Sequence, residues 1–150
     1  MSETAQIVEA TPERIFAVLA DGWSYASWVV GAAHIRDVDA AWPAVGSRVH
    51  HRIGPWPVQI DDHTTVRAME PNKLLELDAR MWPLGQAVIR LMLEPVSPTS
   101  TRIRMAESMV SGIGRLLPDA AQALLLRPRN AEALRRLGDI AARRAAPAGG

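Results

Sequence analysis

The sequence predicts an α+β fold in which a curved antiparallel sheet of six to seven strands wraps around one long C-terminal helix. Three observations carry that expectation. Residues 116–144 place apolar side chains at three- and four-residue spacing, the pattern of an amphipathic helix. Residues 73–108 instead alternate apolar and charged side chains, the period of half-buried strands. The breaks between those runs, such as Pro71-Asn72, are too short for helical crossovers, so successive runs must be antiparallel.

At 150 residues the chain fits a single domain, 1–150, with 145–150 small and polar enough to fray. Apolar residues make up 48% and charged residues 22%, a balance that supports a packed core rather than disorder. Cysteine is absent, which excludes disulfides and thiolate metal sites. No leader-like N-terminus and no membrane-length apolar run is present, so a cytoplasmic protein without an integral membrane segment is expected. The net charge of +1 is uneven, because residues 115–150 carry seven arginines against three acids. Pairs such as Glu132 with Arg136 and Asp139 with Arg143 account for that face as an ordinary solvated one, and no nucleic-acid partner is implied.

In chain order, residues 4–10 read as a strand that ends at a helix signal. Thr11 suits the cap, Pro12 the first helical position, and Ile15, Phe16 and Leu19 the buried stripe. Trp23, Tyr25 and Trp28 then mark a short aromatic helix, a cluster expected to be buried against something large. Residues 34–38 and 47–53 follow as strands around the Trp42-Pro43 loop. Gly54-Pro55-Trp56-Pro57 is a breaker before a long strand over 58–69. Runs 73–81, 86–94 and 101–108 complete an antiparallel meander. Within it Leu75, Leu77, Ala79, Ala87, Ile89, Leu91, Leu93, Ile103 and Met105 share a dry face, while Glu76, Asp78, Arg80, Arg90, Arg102 and Arg104 share a wet one. The dry face needs a cover, and only the C-terminal helix is long enough. In that helix Leu117, Ala120, Ala121, Leu124 and Leu125 form the first part of the stripe, Ala131, Leu134, Gly138 and Ala141 continue it, and Pro128 is expected to kink or break it.

The opening Ile7-Val8-Glu9-Ala10-Thr11-Pro12-Glu13-Arg14-Ile15-Phe16 with Leu19-Ala20-Asp21, the Trp28 position, Trp42-Pro43-Ala44-Val45-Gly46-Ser47 and Arg129-Asn130-Ala131-Glu132-Ala133-Leu134-Arg135-Arg136-Leu137 resemble the SRPBCC superfamily, in its polyketide cyclase/dehydrase-like bacterial branch. That superfamily also includes START and Bet v 1-like proteins. The resemblance covers about residues 4–143 and implies the helix-grip fold, but it implies no single activity, because relatives include carriers, receptors and cyclases.

Three polar residues fall on otherwise apolar faces. His51 shares its face with Val49, Asp62 with Thr64 and Val66, and Glu107 with Ile103 and Met105. Converging beneath the helix they would form an acid–base set; at strand ends they would simply reach water. Trp28, Trp56 and Trp82 sit where this fold has its opening, and with Met105 and Leu124 they are candidate ligand contacts, core packing being the competing use. His50-His51 point to opposite faces of a strand and offer no metal site, and Ser111-Gly112-Ile113-Gly114 lacks the context of a phosphate loop, so no cofactor and no metal are called for. The expected function is binding of a small hydrophobic or aromatic molecule between sheet and helix. A cyclase or dehydratase using the same cavity, and a regulatory or assembly subunit, are the alternatives; a homodimer is left open.

Overall fold

The computed structural model describes residues 2–30, 32–53, 60–81 and 85–145. Seven strands, β1 (Ser2–Val8), β2 (Ala32–Val38), β3 (Arg48–Ile53), β4 (Ile60–Glu70), β5 (Leu74–Met81), β6 (Gly85–Pro95) and β7 (Thr101–Ser111), form one antiparallel sheet in the order β1-β7-β6-β5-β4-β3-β2. Strands two to seven are therefore a meander, and β1 joins its far side by pairing with β7. Helices α1 (Pro12–Ala20) and α2 (Tyr25–Trp28) connect the two outer strands, and α3 (Asp119–Ala145) lies across the dry face against β1, α1 and α2. This is the helix-grip architecture expected from the sequence.

Local chemistry explains the start. The Thr11 hydroxyl accepts from the Arg14 N–H, Pro12 occupies the first turn, and Ile15, Phe16, Val18 and Leu19 are buried. Trp42 is buried too, and its indole N–H donates to the Leu19 carbonyl at 3.0 Å, which fixes the loop before β3 onto α1. Across β5 to β7 the alternation holds: Leu75, Leu77, Ile89, Leu91, Leu93, Ile103 and Met105 face the core. Outside, Arg90 reaches Glu76 at 3.2 Å and Arg104 reaches Glu94 at 3.3 Å. Irregularities in pairing at β4–β5 and β6–β7 add local twist, which helps a one-sided sheet bend around its helix.

The C-terminal helix corrects three expectations. It runs unbroken through Pro128. The bond that proline removes would have run to the Leu124 carbonyl, on a side of the helix where both Leu124 and Pro128 are exposed, so the loss falls toward solvent. In its first part the buried stripe is also phased differently, with Leu126 and Asn130 inward in place of Leu124 and Leu125; in its second part Leu134, Gly138 and Ala141 are buried as expected, with Ala133 and Leu137, and Ala131 is exposed. Leu124, offered as a ligand contact, is 80% exposed, since two residues before Leu126 is more than half a turn away from the sheet. Finally, Asp139 pairs with Arg135 at 3.0 Å rather than through the carboxylate with Arg143, while Glu132 and Arg136 pair as expected. Trp23 departs as well: it is 59% exposed, whereas Tyr25 and Trp28 are buried. Trp56, Trp82 and the tail 146–150 lie outside the described residues.

Candidate functional site

Pairing of β3 with β4 sets His51 opposite Asp62 and Val49 opposite Thr64, so all four start from the inner face. His51 is 1% exposed and Thr64 is fully buried. His51 Nε2 lies 2.9 Å from Thr64 Oγ1, and the Tyr25 hydroxyl lies 3.0 Å from the same oxygen. The Tyr25 ring stacks on the imidazole, with centroids 5.7 Å apart, and meets Trp28 edge-on at 5.5 Å. Burial dominates the protonation of both groups. It pushes the His51 imidazole down to about 4 and raises the Tyr25 phenol, so at neutral pH both are uncharged.

A second polar group, Glu107 with Arg129, lies close enough for its charges to act on the Tyr25 phenol. Glu107 follows Ile103 and Met105 along β7, points inward and has no exposed surface. Arg129 Nη1 approaches its two carboxylate oxygens at 3.3 and 3.5 Å, and Arg129 Nε donates to the Val30 carbonyl at 3.0 Å. One guanidinium thus ties β7, α3 and the turn after α2 together. A carboxylate with no route to water needs such a partner.

Asn130, next on α3, is fully buried on the stripe that faces the sheet. Neither its Oδ1 nor its Nδ2 has a protein partner, and the same is true of His51 Nδ1 and of Thr4 Oγ1 on β1. Thr4 pairs opposite Met105, which puts it on the same inner face. Buried polar atoms are almost always bonded, because leaving one bare costs about 1–3 kcal/mol. Thr4 Oγ1, His51 Nδ1 and the two amide atoms of Asn130 are the exceptions among the described residues.

Packing around them is discontinuous. Met105 and Leu134 belong to the main core, whereas Met109, Ala87 and Leu126 form a small apolar cluster of their own. Glu107 lies between Met105 and Met109 on β7, and Asn130 lies between Leu126 and Leu134 on α3. A polar layer therefore crosses the interior between two apolar zones. The sheet beside it is lined by small side chains, since Ala79 on β5 pairs directly with Ala87 on β6. Glu3, Glu76, Arg90, Val88, Met92, Ala106 and Ser108 also border a depression of about 300 Å³ on the outer face of the sheet, where Arg90 pairs with Glu76.

Of the residues singled out from the sequence, His51, Glu107, Trp28 and Met105 are buried under α3 or its neighbours. Asp62 goes elsewhere. Its carboxylate is held by Arg80 at 3.2 Å and by the His63 N–H at 2.8 Å, while His51 bonds to Thr64. The sequence reading missed Tyr25, Arg129 and Asn130 as site residues. The missed signal for Asn130 was its spacing: four residues after Leu126 and four before Leu134, a polar amide on a line of leucines. Among the described residues no three or more His, Asp or Glu side chains are placed to hold a metal ion, and no helix is long and apolar enough to cross a membrane.

Comparison with known proteins agrees with the architecture. Residues 9–123 match the family described as Activator of Hsp90 ATPase homolog 1-like protein. No curated protein matches the chain. Among solved structures, a protein from Nitrosomonas europaea is similar at a TM-score of 0.72 and 12% identity, covering 97% of this chain and 96% of that one. A protein from Rhodobacter sphaeroides gives 0.69 and 23%, covering 93% and 91%. The Zhui aromatase/cyclase from Streptomyces sp. R1128 gives 0.67 and 18%, covering 99% and 96%. At these identities the likeness is one of fold.

Proposed function

The chain belongs to the Activator of Hsp90 ATPase homolog 1-like family, of the SRPBCC superfamily, and from that premise we propose that its interior binds a small hydrophobic or aromatic molecule between sheet and α3. The observation that supports this reading is a set of unpartnered polar atoms, His51 Nδ1 and both amide atoms of Asn130, on the inner face of the sheet and the buried stripe of α3, among buried aromatic and apolar residues that include Tyr25, Trp28 and Met105. Ligand sites have this composition, a mostly apolar and aromatic lining with a few polar groups that fix orientation.

Native mass spectrometry of gently purified protein tests the reading, together with titration of N-phenyl-1-naphthylamine, a neutral aromatic fluorophore. The expected result is a bound mass, or a saturable blue-shifted emission at one molecule per chain. Absence of both would defeat it.

A second reading, proton transfer to a bound carbonyl compound in a cyclase or dehydratase, is favoured by the uncharged His51 at the end of the Thr64–Tyr25 hydroxyl pair. In that reading His51 handles the proton, since Glu107 is engaged by Arg129 and Asp62 by Arg80. His51→Gln would then abolish turnover of an identified substrate with the fold intact, and full activity in that variant would remove the assignment.

A further inference from the structure

One end of the molecule keeps in water the kind of side chain that the rest of the fold buries. Among the described residues, five of the nine large hydrophobic side chains left exposed lie between 110 and 125: Val110, Ile113, Leu116, Leu124 and Leu125. The other four, Ile7, Trp23, Val45 and Val96, are scattered over β1 and three separate connections, as isolated exposed apolar residues usually are.

Local structure gathers the five. Val110 lies near the end of β7, and a short 3₁₀ helix, Ile113–Leu116, follows, whose three-residue turn sets Ile113 and Leu116 on one side. Leu124 and Leu125 come from the second turn of α3. Met109, Gly114, Leu117, Gln122, Leu125 and Leu126 line a seam between these elements that is too narrow for a water molecule. The Gln122 amide fastens it by donating to the Leu117 carbonyl at 2.9 Å. The exposed side chains thus border one dry seam from both sides, and they form a surface with no room for a small ligand.

Charge points the same way. Arginines in the second half of α3 are engaged, Arg135 and Arg136 with Glu132 and Arg144 with Asp21. Arg115, beside Leu116, and Arg127, one turn after Leu124, are exposed, and among the described residues neither side chain has an ion-pair partner. The single acid from 108 to 131, Asp119, stands in the first turn of α3, where the helix dipole accommodates it.

Size decides among occupants. The five side chains expose the equivalent of about three whole aliphatic groups, whereas a stable interface between two copies engages about twenty residues a side. A symmetric dimer through this patch would also bring its arginines toward their own copies. A lipid surface asks for less: a few apolar side chains that enter the acyl boundary, and basic ones whose stems lie alongside while their heads meet the headgroups.

We infer that the end of the protein from Val110 to Arg127 docks on an anionic lipid surface, with Ile113, Leu116, Leu124 and Leu125 entering the acyl boundary and Arg115 and Arg127 meeting the headgroups. Docking there is independent of whether the interior holds a ligand.

Co-sedimentation of the full chain with vesicles tests this, comparing phosphatidylcholine alone with phosphatidylcholine containing roughly a third phosphatidylserine. The wild type is expected to partition roughly tenfold more strongly into the anionic vesicles, and less so as salt is raised. Arg115→Gln with Arg127→Gln is expected to erase that preference. Leu116→Ser with Leu124→Ser is expected to lower partition into the anionic vesicles by roughly tenfold or more. All four positions are exposed, so both double variants are expected to keep the wild-type circular dichroism and urea midpoint. No binding to anionic vesicles, equal binding to both compositions, or unchanged binding in either double variant would overturn the inference. So would a wild-type dimer in sedimentation equilibrium that Leu116→Ser with Leu124→Ser returns to monomers, because a second copy would then occupy the patch.

Discussion

Replacing His51 with glutamine offers a direct measurement of how dry the interior is. Burial holds this imidazole at about 4 instead of its usual 6.5, and the ring is 1% exposed. The sign follows from which state takes up the proton. Above pH 6.5 the ring is neutral in both states and pH has no effect through it. Below that the unfolded chain binds a proton that the folded chain refuses, so stability falls as pH drops from 6.5 to about 4 and then levels. The full difference is about 3 kcal/mol, with about 2.5 kcal/mol expressed by pH 4.5. Urea denaturation of wild type and His51→Gln from pH 7.5 to 4 measures it, because carboxylate titrations are common to both proteins and cancel. The wild type should lose about 2.5 kcal/mol more than the variant by pH 4.5. Parallel curves, or an NMR titration of the His51 ring with a midpoint near 6.5, would refute the argument that this face of the sheet is shut off from water.

Other substitutions probe the rest of the interior. Arg129→Met strands the fully buried Glu107 carboxylate and should destabilise the protein by about 3 kcal/mol in urea, with Glu107→Gln added to it recovering part of the loss. A larger loss in the double variant would contradict that pairing. Gly138 lies against β1, where an added Cβ would stand 2.9 Å from Val8 Cγ2. Gly138→Ala should therefore lower the melting temperature despite the roughly 1 kcal/mol that alanine contributes to a helix, and Val8→Ala should reverse the sign of its effect. The helix phase is tested by two neighbours: Leu126→Ala should cost about 2–4 kcal/mol and Leu124→Ser less than about 0.5 kcal/mol by thermal denaturation.

Period was the strongest signal in the sequence, and it served the sheet better than the helix. Leu75, Leu77, Ile89, Leu91, Ile103 and Met105 could be assigned to one face because a period of two leaves no choice once the turns are placed. Leu124-Leu125-Leu126 admits three phases of a helix, and only contact with Ala87 and Met109 selects Leu126. The inward positions of His51 and Glu107 were readable for the same reason as the strands. Their partners were not, since Thr64 lies across a strand pair and Arg129 across the whole interior. Asp62 shows the limit of a face assignment: its inward Cβ does not prevent the carboxylate from turning to Arg80 near the strand end. Asn130 was legible as a sequence anomaly, but its meaning depended on finding both amide atoms without partners.

The pairing of β1 with β7 joins Ser2 to Glu107 and Val8 to Thr101. These contacts bridge about two thirds of the chain, so β1 has no strand to dock on until about a hundred more residues have been made. Until α3 follows, the apolar side of the meander has no cover. Such long-range closure is slow and leaves a sticky surface in the interim. The arrangement that creates a sealed interior in the finished protein thus makes the nascent one dependent on prompt completion, and overproduction at high temperature should drive it into inclusion bodies before it loses native stability.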